Sequence, residues 1–165
     1  MIRDLKDIGI LALIFLGSVL LVFLVYFATE PVVRDRREQH LTEALTRLAA
    51  GESVGEALTV NELPVLAIYP LGGSDAPPLI GELSVMGYRD RLRFVARLSG
   101  EGALEGVVVL EESEEPVSDS LLRDPQRLEP ALRRGAPEDG NAATRVTVAA
   151  MAEAVETLRR MVGNE

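Results

Sequence analysis

Residues 138–162 read EDGNAATRVTVAAMAEAVETLRRMV, and this stretch decides how the C-terminal part of the chain folds. Apolar residues recur at helical spacing from residue 148 onward, and charged residues fall on the opposite side. The pattern predicts a terminal amphipathic helix that packs one face on a core. The apolar stripe comprises Val148, Met151, Ala152, Val155, Leu158 and Val162, and the polar side comprises Glu153, Glu156, Arg159 and Arg160.

The segment that leads into this helix, Gly140 to Thr144, carries small and polar side chains. A helix N-terminus has unpaired backbone N–H groups and the positive end of the helix dipole, so it favours anions such as phosphate. A threonine at this point can hydrogen-bond a phosphate or be esterified to it. The same residue types are also typical of an ordinary helix N-cap. The residues alone therefore leave two interpretations open, an anion site at Thr144 or a structural cap.

An uncharged and almost wholly apolar run extends from Ile8 to Thr29. At a rise of ~1.5 Å per residue, a helix of this length covers the ~30 Å hydrocarbon core of a bilayer. The run is longer than the apolar region of a signal peptide, and residues 26–28 form a poor cleavage site. We therefore predict a retained transmembrane helix at residues 8–29. Three arginines follow the run and two basic residues precede it, which weakly favours a cytoplasmic C-terminal domain.

Composition excludes several classes of function. The chain has no cysteine, so disulfides, thiolate-bound clusters and cysteine nucleophiles are excluded. Its single histidine, His40, lies among charged residues, where a solvated side chain is favoured over a metal ligand. The formal net charge of −9 argues against binding to nucleic acid or to anionic lipid headgroups. Four glutamates within residues 111–115 invite a cation-site interpretation, but a solvated acidic turn is favoured there.

The centre of the chain predicts a small sheet. Residues 65–69 and 83–88 are short apolar runs, and residues 92–98 alternate as a half-buried strand does. Turn-forming residues at 99–102 and a buried strand at 104–110 complete a predicted hairpin.

Helices are predicted on both sides of these strands in the sequence. A helix at residues 32–50 precedes them and ends at a glycine, and short helical turns follow at residues 121–122 and 128–132. Pro125 and Pro130 are expected to interrupt this helical region. These elements predict an α+β domain, with helices packed on one face of a small, mainly antiparallel sheet.

Three segments together resemble one known family. FATEPVVRDRREQHLTEAL (27–45) leaves the apolar run, GYRDRLRFVARLSGEGALEGVVVLEESEEP (87–116) contains the predicted hairpin, and DGNAATRVTVAAMAEAV (139–155) opens the last helix. This arrangement resembles the single-span, FMN-binding component of the Rnf electron-transport complex and its relative in the sodium-pumping NADH:quinone reductase. The last segment resembles the flavinylation motif, Asp-Gly-x-Ser/Thr-Gly-Ala-Thr, whose final threonine carries FMN through its phosphate.

Aligned on that threonine, the motif places the FMN acceptor at Thr144 of this chain. The central segment resembles an acidic Glu-Thr-Pro-Gly stretch that would lie against the isoalloxazine ring. If the register of the motif were shifted, Thr147 would be the acceptor. The resemblance therefore implies no catalytic or metal-binding residues, and a cofactor site comprising Thr144, Asn141, Ala142, Ala143, Thr147, Glu114 and Pro116.

The chain also departs from this motif. Asn141 replaces its Ser/Thr, Ala142 replaces its Gly, and Glu115 and Val117 replace the Thr and Gly of the acidic stretch. Two functions therefore stay open: an electron-relay subunit that carries covalent FMN, and a flavin-free structural or assembly subunit with a degenerate FMN-binding domain. A third interpretation is an unrelated single-span adaptor.

The resemblance also implies a topology, which we adopt against the weak charge rule. It places a cytoplasmic N-terminus at residues 1–7, the transmembrane helix at 8–29, a juxtamembrane helix and linker at 30–55, and a periplasmic FMN-binding-like domain at 56–165. The protein would lie in a bacterial inner membrane with other membrane subunits of an Rnf/Nqr-like ion-transport complex as partners. It would be a subunit of a redox-driven complex rather than a self-sufficient enzyme.

Overall fold

The computed structural model describes residues 2–72, 77–88, 91–111, 120–137 and 140–163. It describes their side chains as well, except those of residues 2–13, 28–37, 61, 111 and 120. Two compact units are present, Met1–Gln39 and His40–Glu165.

The first helix, α1 (Ile2–Ala49), forms the first unit and supplies the first helical segment of the second. It is continuous across the junction between the predicted membrane segment and the predicted charged helix. It ends where Ala50 and Gly51 adopt positive φ angles of 51° and 95°, which agrees with the stop predicted at this glycine.

The apolar side chains of α1 between Ile14 and Phe27 are exposed. Residues 8–13 and 28–29 of the predicted span lie outside the described side chains. Among the residues that the structure describes, no helix combines the length and the apolar character that crossing a membrane requires.

A five-stranded antiparallel sheet follows α1, with its strands side by side in chain order. The predicted strand at 65–69 and the predicted hairpin are confirmed, and the predicted run at 83–88 overlaps the second half of a longer strand. The first strand was not predicted, because only Leu58 and Val60 in it are strongly apolar. The strands are β1 (Leu58–Glu62), β2 (Val65–Pro70), β3 (Leu79–Met86), β4 (Arg91–Leu98) and β5 (Leu104–Glu111).

The described part of the second unit has three further helices: α2 (Ser120–Arg123), α3 (Pro125–Arg134) and α4 (Ala142–Val162). Pro125 does not interrupt α3, since it lies in the first turn, where its missing N–H has no intrahelical partner. Pro130 lies inside α3, which nonetheless continues to Arg134. The stable continuation agrees with the burial of its apolar stripe, Leu128, Ala131 and Leu132.

Helices cover both faces of the sheet, so the prediction that they pack on one face was wrong. Alternate residues of the central strands point in opposite directions, and both sets include buried apolar side chains. The face that includes Leu83 and Phe94 packs against α3 and α4. The other face, which includes Ile80 and Val95, packs against the last turns of α1, around Ala44. The second compact unit therefore begins at His40, ahead of the domain boundary expected at residue 56.

Hydrogen bonds from Arg97 of β4 link the end of α1 to the sheet. Its guanidinium donates to the Leu48 carbonyl at 2.7 Å, to Glu52 at 2.8 Å and to Glu105 at 2.8 Å. Burial opposes the charged form, but the two carboxylates outweigh it and raise the pKa of Arg97. The guanidinium thus satisfies a carbonyl of the last helical turn, where a cation also complements the helix dipole.

A polar cluster lies on the α1-facing side of β3, within a mostly apolar strand. Glu82, which is 5% exposed, accepts a hydrogen bond from the Tyr69 hydroxyl at 3.2 Å and pairs with Arg93. Burial, the charge of Glu82 and this hydrogen bond raise the pKa of Tyr69 to about 12. The neutral phenol is therefore the form that the fold favours.

We expect the free energy of unfolding to decrease as the pH rises from 10, the ordinary pKa of tyrosine, towards 12. In that window the unfolded chain loses the Tyr69 proton while the folded chain keeps it, and below it the stabilisation is fully present. Urea unfolding at about pH 9 and about pH 11 would measure the decrease, with Tyr69→Phe as the control. An equal decrease in the variant would show that Tyr69 is not responsible.

Candidate functional site

The loop before α4 ends in an N-cap formed by Asn141. Its side-chain oxygen accepts a hydrogen bond from the Thr144 N–H at 2.9 Å, and its backbone carbonyl accepts one from the Arg145 N–H at 3.1 Å. Asparagine is among the preferred N-cap residues because its short side chain reaches an otherwise unpaired helical N–H. The structural cap, one of the two interpretations of this segment, is therefore present.

Thr144, the predicted acceptor of FMN, lies in the first turn of α4 and is 0% exposed. Its hydroxyl donates to the Asn141 side-chain oxygen at 3.1 Å. Gly140 packs against it closely enough that a Cβ at residue 140 would lie 3.2 Å from the Thr144 Cβ and Cγ2 atoms. Loop and helix thus enclose the side chain together.

This arrangement does not fit a threonine esterified to a nucleotide phosphate. A phosphodiester needs space beside the hydroxyl oxygen and access for the reacting group, and here that oxygen is enclosed and already hydrogen-bonded. Its partner is an amide oxygen, which is too weak a base to activate a hydroxyl. In this conformation Thr144 acts as part of the helix cap.

Thr147, one turn along α4, is also 0% exposed. Its hydroxyl accepts a hydrogen bond from the Tyr88 N–H at 3.2 Å, which joins the Gly-Tyr segment after β3 to α4. The structure therefore brings together two parts of the family-like pattern, the Gly-Tyr segment and the first turns of α4. Tyr88 itself is 53% exposed.

The remaining predicted site residues divide into two groups. Ala142 is exposed and Ala143 is half-buried at the start of α4. Glu114 and Pro116 lie outside the described residues, as does most of the acidic cluster in residues 111–115. In the part of the chain that is described, no three acidic, histidine or cysteine side chains are grouped to hold a metal ion, and His40 is exposed.

Two features of the second unit have little or no signal in the sequence. One is the buried cluster around Glu82, which the sequence indicates only by a single acidic residue in a mostly apolar strand. The other is a cavity of about 370 Å³ beside α4, between Pro64, Met86 and Ala154. No periodicity in the sequence points to this cavity, because it opens where β2 begins and β3 continues beyond it.

Replacing Asn141 by alanine is expected to lower the free energy of unfolding by about 2 kcal/mol. Loss of an N-cap costs about 1 kcal/mol, and the buried Thr144 hydroxyl would lose its acceptor as well. Urea unfolding would measure the change, and Asn141→Asp, which keeps the acceptor oxygen, should retain most of the stability. Equal losses in the two variants would contradict the role of this oxygen.

Comparison with known proteins does not assign this chain to a family. No model of a known protein family matches the sequence, and no curated protein matches it significantly.

Proposed function

We propose that this protein is a flavin-free accessory subunit of a membrane-bound, redox-driven complex of the Rnf/Nqr type. Its FMN-binding-like domain would hold the complex together or guide its assembly. The observation that carries the proposal is the state of Thr144, which has no exposed surface and donates its hydroxyl proton to Asn141. The position that would carry FMN in the resembling family is used here to cap α4.

The fold is compatible with an FMN-binding-like domain that has lost its cofactor site. An antiparallel sheet, the hairpin β4–β5 and a long helix directly after the motif-like segment are the elements that the resemblance implies. Core and turn patterns persist when a cofactor site is lost, because they stabilise the fold whether or not a ligand is bound. Site residues carry no such constraint, which accounts for Asn141, Ala142, Glu115 and Val117 at the motif positions.

A membrane anchor at residues 8–29, with the second unit in the bacterial periplasm, is part of the proposal. It is supported by the uncharged sequence of this segment and by the exposed apolar side chains between Ile14 and Phe27. Lipid is the environment in which such a surface is stable. Protease treatment of spheroplasts should digest the second unit, and its protection in intact spheroplasts would overturn the proposed orientation.

A second candidate is the electron relay, with FMN esterified to Thr144. It is favoured by one observation, the position of Thr144 in the first turn of α4, where the helix N-terminus stabilises an anion. It requires a conformation in which the hydroxyl leaves the Asn141 side chain and reaches the surface.

In-gel flavin fluorescence distinguishes the two candidates. The full chain would be produced in cells that contain the flavin transferase, denatured, separated on a gel and viewed under ultraviolet light. We expect a dark band from the wild-type chain. A fluorescent band that disappears in Thr144→Ala would establish the relay and overturn our proposal.

The same gel carries two controls. Thr157→Ala removes an exposed hydroxyl of α4 that donates to the Glu153 carbonyl, so it should not change the result. Loss of fluorescence in Thr147→Ala alone would place the attachment at Thr147 instead.

A further inference from the structure

Two neighbouring cavities on the surface of α3 and α4 are lined by arginines. One, of about 340 Å³, includes Arg127 and Arg134, and the other, of about 290 Å³, includes Arg133, Arg134 and Arg159. Arg134 lines both cavities, and we call the two cavities together the arginine groove. Two of its arginines pair with carboxylates of their own helices, Arg133 with Glu129 and Arg159 with Glu156.

Two of these guanidiniums are held in place by the backbone of the β4–β5 turn and the start of β5. Arg133 donates to the Leu104 carbonyl at 2.6 Å, and Arg159 donates to the Gly102 carbonyl at 2.7 Å. Each also contacts one carboxylate of its own helix at 2.6 Å. Their side chains nevertheless remain 56% and 45% exposed, so the charged groups are fixed but accessible.

Fixed guanidiniums bind carboxylates better than mobile ones, because less side-chain entropy is lost when the complex forms. A helix C-terminus alone does not account for the cluster. Arg133 and Arg134 lie in the last turn of α3 and Arg159 lies in the last turn of α4, where each complements a helix dipole, but Arg127 lies near the N-terminal end of α3.

The positive groove contrasts with the formal net charge of −9 of the chain. A long polyanion such as nucleic acid would be repelled by the rest of the surface. A short acidic segment can occupy the groove and contact little else. We propose that the arginine groove is a docking site for an acidic segment of a partner protein. This inference holds whether or not the domain carries flavin.

The test uses the full chain in a neutral detergent and a fluorescein-labelled peptide of glutamates as the probe. Fluorescence anisotropy would be measured at about 100 mM salt, where the screening length of ~10 Å limits repulsion by distant acidic groups. We expect binding that weakens strongly at about 500 mM salt. Absence of binding at the lower salt concentration would overturn the proposal.

The decisive variant is Arg134→Glu, with Arg145→Glu as its matched control. Both replace an exposed arginine of the helical layer and change the net charge equally, but Arg145 lies outside the groove. We expect about tenfold weaker peptide binding for Arg134→Glu and little change for Arg145→Glu, since a charge reversal at an interface replaces attraction by repulsion. Equal weakening in the two variants would overturn the proposal.

Two further measurements complete the test. Thermal unfolding checks that Arg134→Glu is folded, and Arg127→Glu serves as the second variant with the same expected result. Vesicles of phosphatidylglycerol would compete for the site if its ligand were a lipid headgroup. Displacement of the peptide by these vesicles at lower concentration than by unlabelled peptide would assign the groove to lipid and overturn the proposal.

Discussion

Replacing Gly81 by valine is expected to destabilise the second unit by about 3 kcal/mol, at the upper end of the usual cost of overpacking a core. Gly81 lies in the middle of β3, on the face that α4 covers, and it is buried. A Cβ atom at this position would overlap the Leu158 Cδ2 atom and lie 2.9 Å from its Cδ1 atom. Because Leu158 is itself 0% exposed, it cannot swing away into solvent.

The expectation is tested by a double-mutant cycle with Leu158→Ala. That substitution alone should cost about 3 kcal/mol, because it leaves a cavity at a fully buried site. It also creates the space that the introduced valine side chain needs, so the double variant should be at least about 1 kcal/mol more stable than additivity allows. Urea unfolding of the four proteins measures all the terms. Simple additivity would show that α4 does not approach the sheet at Gly81.

The second large effect is expected for Glu82→Gln, at about 2–3 kcal/mol. The substitution keeps the shape of the side chain but leaves the Arg93 guanidinium beside a neutral amide in a mostly buried site. The side chain of Glu82 is 6% exposed and that of Arg93 is 27% exposed, so solvent screens the loss only in part. Removal of one partner from a buried ion pair is costly because the remaining charge stays desolvated.

Glu52→Gln is the matched control for this prediction. Glu52 pairs with Arg97 at 2.8 Å, but its side chain is 36% exposed, and Arg97 keeps Glu105 and the Leu48 carbonyl as partners. We therefore expect a cost below about 1 kcal/mol for this variant, as for other exposed pairs. Urea unfolding of both variants gives the comparison, and an equal effect would contradict the importance of burial at Glu82.

The local patterns predicted the elements well where periodicity was strong. The apolar stripe of α4 and the alternation of residues 92–98 both reflect which side of a single element faces the core. The spacing of apolar residues along one stretch of sequence is enough to indicate that side. β1 was missed because its five residues, LTVNE, include only two strongly apolar side chains. The helical turns around Pro125 and Pro130 were predicted as fragments because a proline in a sequence does not reveal whether tertiary burial compensates for its lost hydrogen bond.

The placement of helices on both faces of the sheet depended on tertiary structure. Ile80 and Val95 are apolar at positions opposite to Leu83 and Phe94, so both faces need a cover, but the sequence does not indicate which element supplies it. Contacts between residues far apart in the chain, such as Leu48 with Gly106 and Leu158 with Gly81, determine which helix covers each face. In each case a glycine in a strand permits a close approach of a helix.

At the candidate site, too, the sequence indicated the local element and the tertiary structure decided its role. The residues from Gly140 to Thr144 indicated a helix N-terminus that could serve as a cap or as an anion site, because both uses need small side chains and a polar oxygen. Which use applies depends on whether the Thr144 hydroxyl is accessible or covered, and that is set by how α4 and the preceding loop pack together. In the folded chain the hydroxyl is covered and donates to the side chain of the exposed Asn141, since packing of one face of α4 buries the first-turn threonine.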